Sequence, residues 1–398
     1  MRTRLIFCLL FATLPAVADE LDPATILPPA MSWSGESRNL IATKDDPWIT
    51  PAETSAFRFS PSYDETVAWL KKLDAASPEM QMISLAKSPE GRDIWMVIAS
   101  KERAFTPEAL RRSAKPILFA HGGIHAGEID GKDAGLMLLR DMTARGRRRD
   151  LLDRANFLFI PILNVDGHER RSRFTRMNQR GPEIMGWRTN ARNLNLNRDY
   201  TKLDTEEMRA VVRVLDRWQP DLYIDLHVTD GADYQYDITF GWNDSTGFSP
   251  QIVRWLDSTL RPAFDKSLRA AGHIPGQLVF PVDNQNPANG IGLGNSGARL
   301  STGYGDVRNV ATVLVENHSL KPYDQRVLGT YVYLEQTLRL AGREVASLRR
   351  AIETDRARRP ERLPLTWRLP TGAEPEIVEI LGVASRKTLS AITGDVRV

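Results

Sequence analysis

The strongest constraint on how this chain folds is a series of short apolar runs, each broken at its C-terminal end and separated by helical stretches. Residues 116–120, 156–163, 221–227 and 310–315 have the length and apolar density of buried strands. Between them apolar residues recur at helical spacing: over 132–143 with Ala134, Leu138 and Leu139 inward, over 205–218 behind Glu206 and Glu207, and over 248–268. Strands alternating with helices predict an α/β fold, a mixed central sheet with helices on both faces. Ahead of these, Asp64 and Glu65 open a helix carrying Val67, Leu70 and Leu73, and residues 80–85 and 94–98 form a hairpin. A long helix is expected over 325–356.

Three core runs end in residues able to hold a metal. His125 and Glu128 follow the run at 116–120, His227 closes that at 221–227, and Glu316 follows that at 310–315. Ligand sites of open α/β sheets lie beyond the carboxyl ends of the strands, so these four are expected to converge. His125 and Glu128, three residues apart, point the same way in a helical turn. Two histidines and one glutamate form the donor set of a hydrolytic zinc site, with one position left for water. A further carboxylate must then take the water's proton and pass it to the leaving amine. Glu316 is the candidate, because a carboxylate at the end of an apolar strand otherwise lacks a reason to be there. Singly, each residue has a plain structural reading, a satisfied histidine or a salt-bridged glutamate; the joint pattern carries the inference.

The remaining sequence narrows the choice. Arg2 and Arg4, the apolar residues 5–14 and the small-residue site Ala16-Val17-Ala18 read as an export signal over 1–18. That run is too short to span a bilayer, so no membrane span is expected in the mature chain, and the compartment is read as periplasm or external medium. The single cysteine, Cys8, lies inside it. A mature chain without cysteine must hold any metal through His, Asp and Glu. Formal net charge is only +3 and the arginines are scattered apart from Arg147-Arg148-Arg149, which does not imply nucleic acid. Residues 19–54 read as an extended N-terminal arm, 55–357 as the main domain, and 358–398 as a tail starting a small β module, with strands near 364–368 and 376–381. The arginine-rich loop at 168–197 is long enough to be functional, and 280–309 reads as a Gly/Asn/Pro-rich loop.

Over residues 60–320 the sequence resembles the zinc carboxypeptidase family typified by carboxypeptidase A. His125-Ala-Gly-Glu128 is similar to the family's first two ligands, and His227 in Asp-Leu-His to its third. Asn164-Val-Asp-Gly167 matches its Asn-x-Asp-Gly turn, and Ser88-Pro-Glu-Gly-Arg92 its early hairpin. The resemblance implies one Zn2+ per chain on His125, Glu128 and His227, with Glu316 as general base and then acid. It further implies Arg188, in Trp187-Arg188, as the group that stabilises the oxyanion, and Asn197 and Arg198 as the clamp for the substrate's terminal carboxylate. Tyr304 stands in the general loop where the family carries a tyrosine that closes over substrate. Physical chemistry agrees: Arg188 is permanently cationic where negative charge develops, and the Arg198 fork fits a carboxylate bidentately. One departure stands out. The family carries an aspartate two residues before its Asn-Arg pair, buttressing a ligand histidine, and here that position is Asn195. An amide carbonyl accepts the imidazole proton but brings no charge.

The implied function is that of an exported zinc metallocarboxypeptidase acting on peptides or peptide-like substrates with a free C-terminal carboxylate. The alternative on the same scaffold is an amidase for peptidoglycan stem peptides or acylated amino acids. A binding module that kept the fold without catalysis is the rival of another class. The specificity pocket is expected within 280–309.

Overall fold

The computed structural model describes residues 26–283, 286, 289–292, 294–367, 377, 379–382 and 387–397. A 3-10 turn (Glu36–Leu40) and α1 (Pro51–Thr54) lead into α2 (Tyr63–Ala76), the hairpin of β1 (Met80–Lys87) and β2 (Asp93–Ala99), and α3 (Pro107–Arg112). There follow β3 (Ile117–Gly122), α4 (Asp130–Met142), β4 (Asn156–Ile160), α5 (Val165–Glu169), α6 (Glu206–Trp218), β5 (Leu222–Val228) and β6 (Ile238–Gly241). Next come α7 (Pro250–Trp255), running through a π turn into α8 (Arg261–Ala270), then β7 (Pro275–Gln277), β8 (Phe280–Pro281) and β9 (Ile291–Gly292). The chain continues with α9 (Ser301–Arg308), β10 (Ala311–Asn317), α10 (Tyr323–Ala357), β11 (Thr388–Leu389) and β12 (Val396–Arg397).

Eight strands form one mixed sheet in the order β1-β2-β4-β3-β5-β10-β6-β7. Its centre, β4-β3-β5-β10, is parallel, and β2 and β6 join it antiparallel. The two-residue period of strands sorts side chains onto two cores. Leu118, Ala120, Leu222, Ile224, Leu226, Val313 and Val315 pack with α4 and α10. Ile117, Phe119, Tyr223 and Ile160 pack with α6 through Met208, Val211 and Val214. Helix starts follow their caps: Ser62 and Glu65 form a capping box on α2, and the Thr205 hydroxyl accepts from Met208 N on α6. Among the described residues no helix is long and apolar enough to cross a membrane.

Several expectations change. The apolar run at 156–163 pairs only to Ile160, because Pro161 cannot donate to the ladder. Residues 301–308, read as loop, form α9. The described part of the arm is not merely extended: it makes two helical turns, and Trp33, Leu40, Ile41 and Trp48 lie against the main core. In the tail, residues 364–367, 377 and 379–381 form no strand, and the pair observed is β11 with β12. The expected signal at 1–18 and the remainder of the expected tail strands lie outside the described residues.

Candidate metal centre

β3 delivers the chain to Gly122, and a tight turn in which Glu128 N donates to His125 O (2.9 Å) brings both side chains to the sheet's C-terminal edge. The turn requires glycine at 127, since a Cβ there would meet Arg176 Cδ at 2.4 Å and Gly186 O at 2.8 Å. Its far end is pinned by α10: Arg326 donates to both oxygens of Asp130 (2.9 and 3.2 Å), two residues beyond Glu128. β5 delivers His227, and the parallel register sets Glu316 of β10 directly beside it.

The structure brings His125, Glu128 and His227 together, with one donor atom from each inside a 4.8 Å span. His125 Nδ1 lies 3.1 Å from Glu128 Oε1, and His227 Nδ1 lies 2.9 Å from Glu128 Oε2. All three are buried, and His125 Nδ1 has no hydrogen-bond partner. A buried, orphaned imidazole nitrogen aimed at a carboxylate, with a second imidazole opposite, fits a cation ligated by nitrogen and oxygen donors. Burial alone would raise the Glu128 carboxyl, yet His125 and Arg176 hold it well below the usual range. Burial lowers His125; His227 is raised well above its usual value despite burial, because Asp225 and Glu128 flank it.

The other expected residues fall into place unevenly. Arg188 Nη1 reaches Glu128 Oε1 at 3.2 Å. Its segment is tied down by Trp187 N donating to Gly167 O (2.8 Å) and Asn164 Nδ2 to Arg188 O (3.3 Å). The two early motifs interlock: buried Asp166 accepts from Ser88 Oγ (2.7 Å), Glu90 N (3.1 Å) and Arg92 Nη1 (2.8 Å). Asn195 Oδ1 lies 3.1 Å from His125 Nε2 and accepts from Asn197 N (3.0 Å). Arg198 donates to Asn197 O (2.6 Å) and has no carboxylate within ion-pair distance among the described residues. Burial, with Arg188 and Arg299 close by, lowers its pKa. Tyr304 is not drawn into this cluster by its contacts. Its ring packs on Tyr200 (5.6 Å) and its hydroxyl takes a hydrogen bond from Arg308 (2.9 Å), the surroundings of a packing residue.

Glu316 Oε2 is buried without a partner, and burial, opposed by the positive charge of His227 and reinforced by the negative charge of Glu128, raises the carboxyl to about 8. In the metal-free chain this makes a pH prediction. Between pH 4.5, the ordinary value, and about 8 the folded state holds a proton the unfolded state has released. Stability therefore falls as pH rises through that window. Metal-free Glu316→Gln should gain melting temperature relative to the parent from pH 4.5 to 8; a gap that stays constant with pH contradicts this.

Two residues of the site escaped the sequence reading. Arg176 donates to Glu128 Oε1 (3.0 Å) and Gln179 Oε1 (2.6 Å), and nothing in its loop sets it apart from the six other arginines at 170–192. Asp225 stands 2.9 Å from His227 Nε2, and here a signal existed: residues two apart in a strand share a face. A cavity of about 230 Å³ is lined by Trp242, Asn243, Ser296, Thr302 and Leu314. Leu314 shares the face of Glu316, and the Ser296 and Thr302 walls come from the loop expected to shape the pocket.

Residues 66–250 match the model of the zinc carboxypeptidase family. Carboxypeptidase Z of Gallus gallus is 27% identical over 182 residues, 43% of this chain. The match takes in 26% of that protein, so the chain spans about a quarter of the length of this relative. Among solved structures, carboxypeptidase A of Helicoverpa armigera superposes with a TM-score of 0.52 at 17% identity, covering 75% of each chain. A metallo-carboxypeptidase of Pseudomonas aeruginosa in complex with (2-guanidinoethylmercapto)succinic acid gives 0.53 at 17% identity, covering 73% of this chain and 71% of that one. At such identity these structures show a shared fold.

Proposed function

We propose, from a zinc carboxypeptidase family domain over residues 66–250, that the chain is a zinc metallocarboxypeptidase cleaving C-terminal peptide bonds. The convergence of His125, Glu128 and His227, with Glu316 in register beside His227, carries this reading. Zinc bound by the three ligands would supply Lewis acidity, polarising a carbonyl and acidifying a water. The chain's own groups do the rest. Glu316, next to the ligands and free of protein partners on Oε2, takes the water's proton and returns it to the leaving amine. Arg188, already within reach of Glu128, donates to the carbonyl oxygen as negative charge develops there. Arg198 and Asn197 receive the substrate's terminal carboxylate, for which Arg198, with Arg188 and Arg299 close by, provides the attraction. The cavity beside Leu314 accommodates the terminal side chain.

The test compares one peptide with a free and an amidated C-terminus, in parent and Arg198→Ala protein. Loss of a charge-assisted pair worth roughly 1.5–3 kcal/mol should raise KM for the free peptide about 10- to 100-fold. The amidated peptide should be cleaved poorly by both. Equal cleavage of the two peptides by the parent would favour the amidase reading over this one.

A further inference from the structure

We propose that Asp225 is a positioning residue for His227, accepting the Nε2 proton so that Nδ1 is presented to the metal. The inference rests on His125, Glu128 and His227 being the zinc ligands.

The outer nitrogens of the two ligand imidazoles face oxygens at similar distances but of different charge. His125 Nε2 faces the Asn195 amide at 3.1 Å, and His227 Nε2 faces the Asp225 carboxylate at 2.9 Å. An amide oxygen fixes a tautomer; a carboxylate fixes it and raises the basicity of the ring. The strand itself places Asp225: two residues before His227, it shares that residue's face of β5, with Leu226 turned to the opposite core.

The surroundings of Asp225 argue that His227 is its purpose. The side chain is fully buried, where an ionised carboxylate needs a compensating cation. Among the described residues its ion-pair partners are two imidazoles, His227 and, at 3.5 Å, His121. His121 stands opposite it across the β3–β5 ladder and is engaged by Tyr223, its Nε2 2.6 Å from the hydroxyl. Tyr223 is held in turn by the Tyr200 hydroxyl at 2.5 Å. Burial holds His121 at about 4, so it is neutral at ordinary pH. The charge of Asp225 is therefore met chiefly through His227, at 2.9 Å, with the Ser301 hydroxyl adding a neutral donor. Glu128 differs, with Arg176 and Arg188 on its Oε1. A neutral imidazole has one N–H and one lone pair. With Nδ1 as the ligating atom the proton must sit on Nε2, the atom against Asp225.

The experiment is a competition titration of the zinc-free full-length chain with Zn2+ against a chromophoric chelator. The proteins compared are the parent, Asp225→Asn, Asn195→Asp and the double variant. Removing a charged partner of a ligand histidine should weaken zinc binding roughly 10- to 100-fold. Asn195→Asp in the Asp225→Asn background should recover most of the loss by giving the other imidazole a carboxylate, a rescue that a purely structural defect would not show. Zinc affinity of Asp225→Asn within threefold of the parent, or no recovery in the double variant, overturns the proposal. A parent that binds no zinc overturns the ligand reading instead. Should Asp225→Asn fail to fold, 15N-histidine NMR of the zinc-loaded parent decides: a proton on His227 Nε2 supports the assignment, and one on Nδ1 defeats it.

Discussion

Glu316→Gln is expected to lower kcat/KM for a C-terminal peptide bond by roughly 10²- to 10⁴-fold, the range contributed by a positioned general base, while zinc remains bound. Glutamine keeps the volume of the side chain and a carbonyl oxygen but cannot take a proton. The substitution leaves the metal ligands untouched: Glu316 comes from β10, whereas the ligands come from β5 and the turn after β3. Its partner-free Oε2 also means that no buried ion pair is broken. Steady-state kinetics with a chromogenic C-terminal substrate, alongside metal analysis of the same sample, would measure both quantities. Retention of most of the parent's activity would remove Glu316 from the mechanism. Loss of zinc together with activity would make it a structural support of the ligands.

The second large effect concerns stability. Glu53, at the end of the N-terminal arm, pairs with Arg140 of α4 at 2.6 Å, and both side chains are fully buried. Its other oxygen accepts from Ala42 N (2.8 Å), and Thr50 N donates to the paired one (2.8 Å). Arg140 passes the connection on to Asp141 (2.9 Å), which accepts from Tyr331 of α10 (2.8 Å). Glu53→Ala would leave a buried guanidinium with Asp141 as its remaining counter-charge and the Leu40 carbonyl as a neutral acceptor, and would orphan two amides. Breaking such a pair costs roughly 3–5 kcal/mol. In a chain of this size that corresponds to a fall of about 4–6 °C in Tm, readable by calorimetry. A fall of under about 2 °C would mean that the arm contributes little to the fold.

What the sequence made visible follows physical lines. Apolar strands of the central sheet announce themselves because both faces are buried, and the polar residues that end them stand out against that background. His125, Glu128, His227 and Glu316 were found this way, and the structure sets the first three within ligating reach of one another. Elements governed by close approach were hidden. Gly303 and Gly305 suggest a loop by propensity, yet α9 needs them: a Cβ at 305 would meet Thr312 Oγ1 at 1.9 Å, and one at 303 would meet Ser296 O at 2.2 Å. Packing overrode propensity there. β6 is only four residues long and its partner β7 three, too short for a periodic signal. Arg176 is selected by the fold from an arginine-rich loop in which local sequence distinguishes no single member. Tyr304 is the opposite case: position in a loop says little about which way a ring faces, and here the ring packs on Tyr200.

The ladder that sets Asp225 opposite His121 and Glu316 opposite His227 has a bearing on how such a chain can diversify. Deleting a single residue between Leu222 and Asp225 would swing one set of side chains to the opposite face of the sheet. Residues such as Asp225 and His227 would then point into the α4 and α10 core. The stretch at 294–300 ahead of α9 is under no such parity. Descendants can lengthen, shorten or exchange it and so acquire new tastes in substrate, while the reading frame of three neighbouring strands stays fixed to the residue.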